Sequence, residues 1–476
     1  MTAAPRSVII HGHFYQPPRD DPWLRTIPPE PSAAPYHDWN ARIEAECYRP
    51  VLPSLAALSF DFGPTLLAWL ESAAPRTYAG VLDADNTGRA RHAGHGGALA
   101  MSYHHTILPL SSRRDKETEV RWGIADFRRR FGREPEGMWL PETAVDHETL
   151  DVLAVEGIHF TVLAPHQVEH VPGGGLPGWY HTTSGRRLAL FLYDGAISHD
   201  VAFGPLLGDV PAWAERLARS HEGEGGAPAQ ALIAIATDGE TFGHHHRGGD
   251  VALARVLETL AQRPDVQLDN FAAFLPRRPP RDDLALVAPS SWSCPHGVER
   301  WRSDCGCRMH PDRGTQQRWR APLRNALDWL AAELHGLFER EGGLLLVDPW
   351  AARDAYGAVL GAMEDTLARF LRVWLRRPDD RNALERAYQL LELERHALRM
   401  FTSCGWFFDD IAGLESLIVL RSAARAIELA GPEAPRLEEG LLERLALAPS
   451  NDPSVGSGRE LYRERVKARI PRAALA

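Results

Sequence analysis

Two carboxylates and a run of histidines follow a strongly apolar stretch near the middle of the chain. Residues 231–236 are all apolar, and residues 237–246 then supply Asp238, Glu240 and His244 on a turn with two glycines. An apolar run without polar alternation is typical of a strand buried on both faces of a parallel sheet. Parallel α/β proteins place their chemistry at the carboxyl ends of such strands, so these carboxyls could serve as acid and base. The alternative is an ordinary turn whose acids cap the following helix.

Two other predicted strands end in groups that could take part in the same chemistry. The strand of residues 7–14 carries His11 and His13, which are two positions apart and therefore leave the same face. Such a pair could bind a metal, contact a substrate, or only be held by structural hydrogen bonds. A shorter strand carries Trp139 and ends at Glu142. A carboxyl on a second strand end is what a two-carboxylate reaction requires.

The elements that must position these groups alternate along the first part of the chain. Strand, loop and helix patterns follow one another over residues 7–275, which predicts a parallel sheet covered by helices. Six or seven strands, including a short one at residues 81–85, favour a barrel over an open sheet. From about residue 315 the apolar spacing becomes helical, so the sequence predicts an α/β barrel followed by an all-helical region.

Composition excludes several classes of function. The chain has 476 residues, of which 44% are hydrophobic and 24% charged, and its net charge is −10. An acidic chain lacks the basic footprint of a nucleic-acid-binding protein, and its apolar runs are too short to span a bilayer. Five cysteines, an odd and sparse set without a secretory signal pattern, predict a cytoplasmic protein.

Two of these stretches resemble the sequence motifs of one enzyme family. Residues 139–142, Trp-Leu-Pro-Glu, resemble the motif that carries the nucleophile in glycoside hydrolase family 57. Residues 237–243, Thr-Asp-Gly-Glu-Thr-Phe-Gly, are similar to the motif that carries its acid/base. The resemblance, which covers roughly residues 7–340 in the family's order, implies that Glu142 is the nucleophile and Asp238 the acid/base. It also implies a distorted (β/α)7-type barrel with a helical extension, and a retaining reaction on α-glucans of amylase, glucanotransferase or branching type.

Weaker matches supply candidate substrate-binding residues. His13 with Gln16 resembles the family's N-terminal motif, His95 stands at the place of the second motif, and Trp292 at that of the fifth. The full predicted substrate-binding set is His13, Gln16, His95, His104, Trp139, Glu240, His244 and Trp292. The expected partner is an α-glucan or oligosaccharide, with no nucleic acid, no membrane and no cofactor. The sequence leaves the oligomeric state open.

Two other functions fit parts of the pattern. Metal-dependent carbohydrate deacetylases also use histidines and aspartates at barrel strand ends, and His11, His13, Asp85 and His244 are the residues available here. A barrel that binds glucan without turnover is the third possibility. Sensitivity to a chelator separates the first two enzyme classes, and any turnover removes the non-catalytic one.

A cysteine- and histidine-containing stretch follows the barrel region. Cys294, Cys305, Cys307 and His310 could form a structural zinc site of three thiolates and one imidazole. The Cys-x-Cys spacing is tighter than the usual gap between zinc ligands, so the alternative is a loop with free thiols.

The sequence divides into four expected segments. A barrel covers residues 1–285, a loop with the cysteines 286–315, a helical domain 316–448 and a loosely ordered tail 449–476. The helical segment resembles an uncharacterised domain that follows the catalytic part in one branch of the family.

Overall fold

The computed structural model describes residues 5–219, 231–361 and 363–470. The chain forms two compact units, each built from separate stretches of sequence. Unit 1 contains residues 1–16, 29–102 and 127–292, and unit 2 contains residues 17–28, 103–126 and 293–476. The domain boundaries expected at residues 285, 315 and 448 remain a prediction.

Unit 1 contains the strands, and their order is that of a closed parallel barrel. The strands are β1 (Arg6–Phe14), β2 (Ser59–Phe62), β3 (Ala98–Met101), β4 (Met138–Trp139), β5 (Phe160–Leu163), β6 (Gly178–His181), β7 (Arg187–Leu192), β8 (Leu232–Asp238) and β9 (Val266–Leu268). One sheet has the order β4-β3-β2-β1-β8, with β9 also beside β1, and a second has the order β5-β7-β6.

Two contacts join these sheets into a ring. A parallel bridge connects Gly137, just before β4, to Phe160 of β5. At the other junction, the Asp194 backbone N donates to the Ala234 carbonyl oxygen of β8 over 2.7 Å. The strands β1, β2, β3, β4, β5, β7 and β8 thus surround one core, whereas β6 is an antiparallel addition to β7. This arrangement confirms the predicted seven-stranded barrel.

Burial on both faces accounts for the composition of the two central strands. In β1, Val8, Ile9 and Ile10 are at most 1% exposed, and residues 232–236 of β8 are at most 3% exposed. One face of each strand packs against helices and the other lines the barrel interior, so neither face selects polar residues.

One predicted strand is wrong. Residues 81–85 lie inside helix α4 (Pro75–Arg91), where Asp85 is buried and forms a bidentate ion pair with Arg133. The Val-Leu-Asp-Ala-Asp sequence suits a helix with Val81 and Ala84 inward as well as it suits a strand, because short apolar runs do not distinguish the two periods.

Helices alternate with the strands in the first part of the chain, and the described C-terminal part contains helices without strands. Besides α4, the first part of the chain contains α1 (Trp39–Ile43), α2 (Arg49–Leu55), α3 (Pro64–Ala73), α5 (Arg113–Phe131), α6 (His147–Val155), α7 (Gly195–Ala202), α8 (Val210–Ala218), α9 (Gly249–Ala261) and α10 (Phe271–Arg277). The C-terminal part contains α11 (Arg320–Leu345), α12 (Pro349–Tyr356), α13 (Glu364–Trp374), α14 (Arg381–Arg399), α15 (Cys404–Phe407), α16 (Leu414–Leu429), α17 (Ala434–Leu445) and α18 (Gly458–Leu461). The predicted all-helical C-terminal region is confirmed. None of the described helices is long and apolar enough to cross a membrane.

A buried group of charges lies among the helices of unit 2. Arg353 Nη1 is 2.7 Å from Glu394 Oε2 and 2.9 Å from Asp115 Oδ1, and His335 Nδ1 is 2.9 Å from Glu394 Oε2. Burial opposes protonation of His335, but the charge of Glu394 outweighs it and raises the pKa of His335 to about 10. Each buried charge therefore has an opposite charge beside it, as burial requires.

The C-terminal tail is more ordered than expected. Helix α18 and the turn that follows it bury Leu461, Tyr462 and Val466 to 1% exposure, so the prediction of a loosely ordered tail is wrong through residue 470. The apolar spacing of these residues provides the buried face. Residues 471–476 lie outside the described part of the chain.

Candidate active site

A row of three ionisable side chains crosses adjacent strands at the carboxyl end of the barrel. His13 of β1 is in register with Asp61 of β2 on one side and with Asp238 of β8 on the other. Residues in register on parallel strands project to the same face, so all three side chains meet at one end of the barrel. Asp61 also bridges the two histidines, with Oδ2 2.8 Å from His13 Nδ1 and Oδ1 3.1 Å from His11 Nε2.

The charges in this row depend on one another. Burial opposes protonation of His13, but the Asp61 carboxylate beside it raises the pKa of His13 to about 9, which makes this imidazole cationic at neutral pH. Burial acts against ionisation of Asp61, yet His13 and His11 together keep its pKa below the usual value. At Asp238, desolvation raises the pKa and Asp61 adds to the rise, while His13 opposes it. Asp238 is reached by solvent even though protein groups surround its carboxyl, a combination that suits a proton donor.

Glu142 follows β4 in an unusual backbone conformation. Its φ is +58° and that of Thr143 is +47°, in the left-handed region that residues with a side chain rarely adopt. Trp292 donates two hydrogen bonds to this turn. Its backbone N donates to the Glu142 carbonyl oxygen at 3.1 Å, and its Nε1 donates to Glu142 Oε2 at 3.1 Å. The strain of such a conformation is of order 1–3 kcal/mol per residue and is concentrated at functional sites.

Aromatic rings connect Glu142 to the charged row. The Trp292 ring centroid is 6.3 Å from that of His13 and 5.2 Å from that of Trp139. Trp139 in turn stacks on His13 at 5.4 Å and on His11 at 4.5 Å. Trp139 is fully buried, so its ring packs against His13 and cannot stack on a sugar. The predicted substrate contact at Trp139 is therefore corrected, whereas Trp292 keeps a partly exposed ring.

Glu240 lies behind Asp238 and contacts protein groups. It is 6% exposed and accepts hydrogen bonds from the Tyr48 hydroxyl at 2.5 Å and the Tyr15 backbone N at 3.3 Å. Burial and then the charge of Asp238 raise its pKa to about 7, although Tyr48 and His13 act in the other direction. Glu240 is therefore placed to influence the charge of Asp238 and does not make the predicted direct contact with substrate.

The intervening Gly239 is required by packing. A Cβ at this position would lie 2.2 Å from the Phe14 ring carbons, which a side chain cannot tolerate. The glycine lets the turn after β8 pack directly against Phe14 at the end of β1. Asp238 and Glu240, which flank this glycine, are thereby held next to β1.

The other predicted substrate-binding residues are distributed over several places. Gln16 contacts the Tyr48 hydroxyl behind the row. His244 is partly exposed, and its Nδ1 is 2.6 Å from Glu46 Oε2. Both belong to unit 1 and lie beyond the carboxyl ends of the strands.

One predicted residue lies at the other end of the barrel, and another belongs to unit 2. His95 precedes β3, so it lies at the amino end, where its Nδ1 is 2.8 Å from Glu136 Oε2. His104 belongs to unit 2, is buried, and has its Nδ1 2.7 Å from Glu119 Oε1. His95 was proposed because it stands at the place of the family's second motif, but it lies in the turn before β3.

Sequence reasoning missed two members of the site. Asp61 lies on β2, and the sequence Ser-Phe-Asp-Phe, with a lone carboxylate between aromatic residues, was the available signal. Tyr193 follows β7, with its ring 6.3 Å from that of Trp292, and burial followed by the charge of Asp238 raises its pKa. Its hydroxyl therefore stays protonated near the charge of Asp238.

The metal ligands considered for a deacetylase are not assembled. His11 and His13 both contact Asp61. Asp85, in α4, is paired with Arg133, and His244 is hydrogen-bonded to Glu46. Among the described residues, the group with metal-binding spacing is instead Cys294, His296, Cys305 and Cys307. His310, the expected fourth zinc ligand, is exposed, and its backbone N donates to Asp409. A turn after Cys294 instead brings His296, and not His310, next to the three cysteines.

Sequence comparison agrees with the geometry. Residues 92–283 match the family model described as glycosyl hydrolase family 57. Residues 316–474 match a domain of unknown function, DUF3536. The comparison with curated proteins gives no match. The resemblance drawn from the two carboxylate motifs is confirmed, and so is the prediction of an enzyme of this family.

Solved structures show the same fold over most of the chain. An exo-type maltose-forming amylase from Pyrococcus sp. ST04 has a TM-score of 0.73 at 16% identity, over 96% of this chain and 90% of that one. A family 57 branching enzyme from Thermococcus kodakaraensis has a TM-score of 0.57 at 16% identity, over 98% and 96%. A 4-α-glucanotransferase from Thermococcus litoralis has a TM-score of 0.55 at 16% identity, over 90% and 60%. At this identity the likeness establishes the fold, a (β/α)7 barrel with a helical region.

Proposed function

We propose that this family 57 protein cleaves or transfers α-glucosidic bonds with retention of configuration, using Glu142 as nucleophile and Asp238 as acid/base. The observation that carries the proposal is the placement of both carboxyls at the carboxyl ends of strands in one barrel. Trp292 links them, because it donates to Glu142 and its ring lies against His13, the register partner of Asp238. The solved relatives named as amylase, glucanotransferase and branching enzyme support an α-glucan as substrate.

In the first step Glu142 attacks the anomeric carbon while Asp238 protonates the glycosidic oxygen. The bond from carbon to that oxygen breaks, the leaving sugar departs with the proton of Asp238, and a glycosyl ester forms on Glu142. The raised pKa of Asp238 keeps a proton available for this transfer. The hydrogen bond from Trp292 Nε1 fixes the direction of the Glu142 carboxylate.

In the second step Asp238 acts as a base. It removes a proton from water or from an acceptor hydroxyl, which attacks the anomeric carbon and releases Glu142. Protonated His13 stabilises the carboxylate form of Asp238 that this step requires. Whether water or a sugar accepts the glycosyl group decides between hydrolysis and transfer.

The stereochemistry of the product tests the proposal. Purified protein is incubated with maltoheptaose or amylose, and the anomers of new reducing ends are followed by proton NMR before mutarotation. We expect the α-anomer first, or lengthened and branched chains without new reducing ends if transfer dominates. The Glu142→Gln protein, purified in parallel, controls for host amylases. A first-formed β-anomer would contradict retention.

The hydrogen bond from Trp292 to the proposed nucleophile can be tested separately. Trp292→Phe keeps an aromatic ring but removes the N–H donor to Glu142 Oε2. Hydrogen bonds to charged groups contribute about 1.5–3 kcal/mol, so kcat/KM is expected to fall by about 10- to 100-fold. Steady-state kinetics measure the change, with Trp179→Phe on β6 as the matched control. Unaltered kcat/KM in Trp292→Phe would show that this contact does not orient the nucleophile.

A further inference from the structure

We propose that Cys294, His296, Cys305 and Cys307 of unit 2 bind one structural Zn²⁺ ion. Their four ligand atoms all lie within 4.8 Å of one another. The Cys294 Sγ is 3.8 Å from Cys307 Sγ and 4.0 Å from Cys305 Sγ, and Cys307 Sγ is 3.7 Å from His296 Nδ1. This site takes no part in the proposed two-carboxylate reaction.

The three Sγ–Sγ and Sγ–Nδ1 distances are close to those between the corners of a zinc tetrahedron. With Zn–S bonds of about 2.3 Å and a Zn–N bond of about 2.0–2.1 Å, tetrahedral angles place two sulfurs about 3.8 Å apart and sulfur and nitrogen about 3.6 Å apart. These three distances are within a few tenths of an ångström of the tetrahedral values. Three thiols and one imidazole also complete the four protein ligands of a structural site, with no position left for water.

A disulfide is a poorer account of the same residues. Its two sulfurs would be about 2.05 Å apart, and pairing any two of these three cysteines would leave the third without a partner. The cysteines are reduced in the structure. A metal uses all three sulfurs and the imidazole at once.

The local backbone suits thiolate ligands. Gly306 has a φ of +85°, which lets the two flanking cysteines turn toward the same point although only one residue separates them. The sulfur of Cys294 accepts hydrogen bonds from the backbone N–H groups of His296 and Arg300. Donors aimed at a sulfur stabilise its negative charge and orient it for a metal.

The surrounding charges match the charge of such a complex. Three thiolates, a neutral imidazole and Zn²⁺ carry a net charge of −1. Arg320 is fully buried beside them, and its Nη1 donates to the Cys307 carbonyl oxygen at 2.9 Å. The same guanidinium contacts the Trp406 carbonyl oxygen through Nε at 2.9 Å. The metal would therefore hold an irregular loop in place against α11 and α15, and supply a negative charge next to a buried cation.

The metal content and coordination of the wild-type protein test the site directly. The chain is purified without a polyhistidine tag, dialysed, and analysed for zinc by plasma mass spectrometry. We expect about one zinc per chain and a zinc-edge X-ray absorption spectrum with about three sulfurs at 2.3 Å and one nitrogen near 2.0 Å. A zinc-free protein that does not take up added Zn²⁺, or a first shell of only nitrogen and oxygen, would overturn the proposal.

Matched pairs of variants identify the ligands. Cys307→Ser and His296→Ala are expected to weaken zinc binding by at least about 10-fold, measured by competition with a chromogenic chelator. Cys404→Ser and His310→Ala, the matched controls, should bind zinc as the wild type does. Addition of Zn²⁺, but not of Mg²⁺, should raise the unfolding temperature of chelator-treated wild type and controls. The two ligand variants should show no such rise. Zinc lost in His310→Ala and kept in His296→Ala would contradict the assignment of the fourth ligand.

Discussion

Glu142→Gln is expected to lower kcat/KM on maltooligosaccharides by at least about 10³-fold, because glutamine cannot form the glycosyl ester. The substitution keeps the size of the side chain and an oxygen that can accept from Trp292 Nε1, so the turn at residues 142–143 should persist. The loss should be as large for activated aryl glycosides, since a good leaving group does not replace the nucleophile.

The control for this prediction is Glu258→Gln on the exposed face of α9, which should keep wild-type activity. Chemical rescue identifies the role: azide added to Glu142→Ala should give a glycosyl azide of inverted configuration, because it attacks the face that the carboxylate occupied. Wild-type turnover in Glu142→Gln would remove the residue from the mechanism.

Asp238→Asn is expected to have an effect that depends on the leaving group. With maltooligosaccharides, whose leaving oxygen needs a proton, kcat/KM should fall by about 10²- to 10⁴-fold. With an activated aryl glycoside the first step needs little protonation, so the ester on Glu142 should accumulate and appear as a burst of the aryl product. Asp282→Asn, an exposed aspartate, serves as the control.

Rescue and pH dependence distinguish Asp238 from its buried neighbour. In Asp238→Ala, azide should yield a glycosyl azide of retained configuration, whereas Glu240→Ala should not be rescued. Desolvation raises the pKa of Asp238, and the proton donor must be protonated in the first step. The wild-type kcat/KM therefore falls as pH rises through that pKa, and this limb should vanish in Asp238→Asn. Rescue and leaving-group dependence in Glu240→Ala would transfer the role to Glu240, whose pKa is about 7.

The parts of the site that could be predicted from sequence are those on strand ends next to long apolar runs. Residues 231–238 combine a buried strand with its chemistry in one continuous stretch, and Glu142 follows Trp139 in a recognisable motif. Asp61 escaped detection because β2 is only four residues long and pairs with a strand nearly fifty positions earlier. The link between His13 and Asp61 depends on register, which periodicity does not reveal.

Other misses have a similar origin in tertiary packing. Trp139 was predicted to bind substrate, yet its position inside the barrel buries it completely. His95 stands at the place of a family motif, but only the direction of β3 reveals that it lies at the amino end. His296 is two positions from Cys294 and His310 three from Cys307, and the turn of the loop selects between them.

The position of β1 in the barrel has a consequence for synthesis of the chain. β1 ends at Phe14, but its neighbour β8 begins only at Leu232. At about 5–20 residues per second, a ribosome needs about 10 to 40 seconds to make the intervening chain. During that time β1 can pair with β2 on one side, while its other edge offers unsatisfied backbone groups and apolar side chains to other nascent chains. The strand that carries His13 therefore keeps one edge unpaired until most of the barrel has been synthesised.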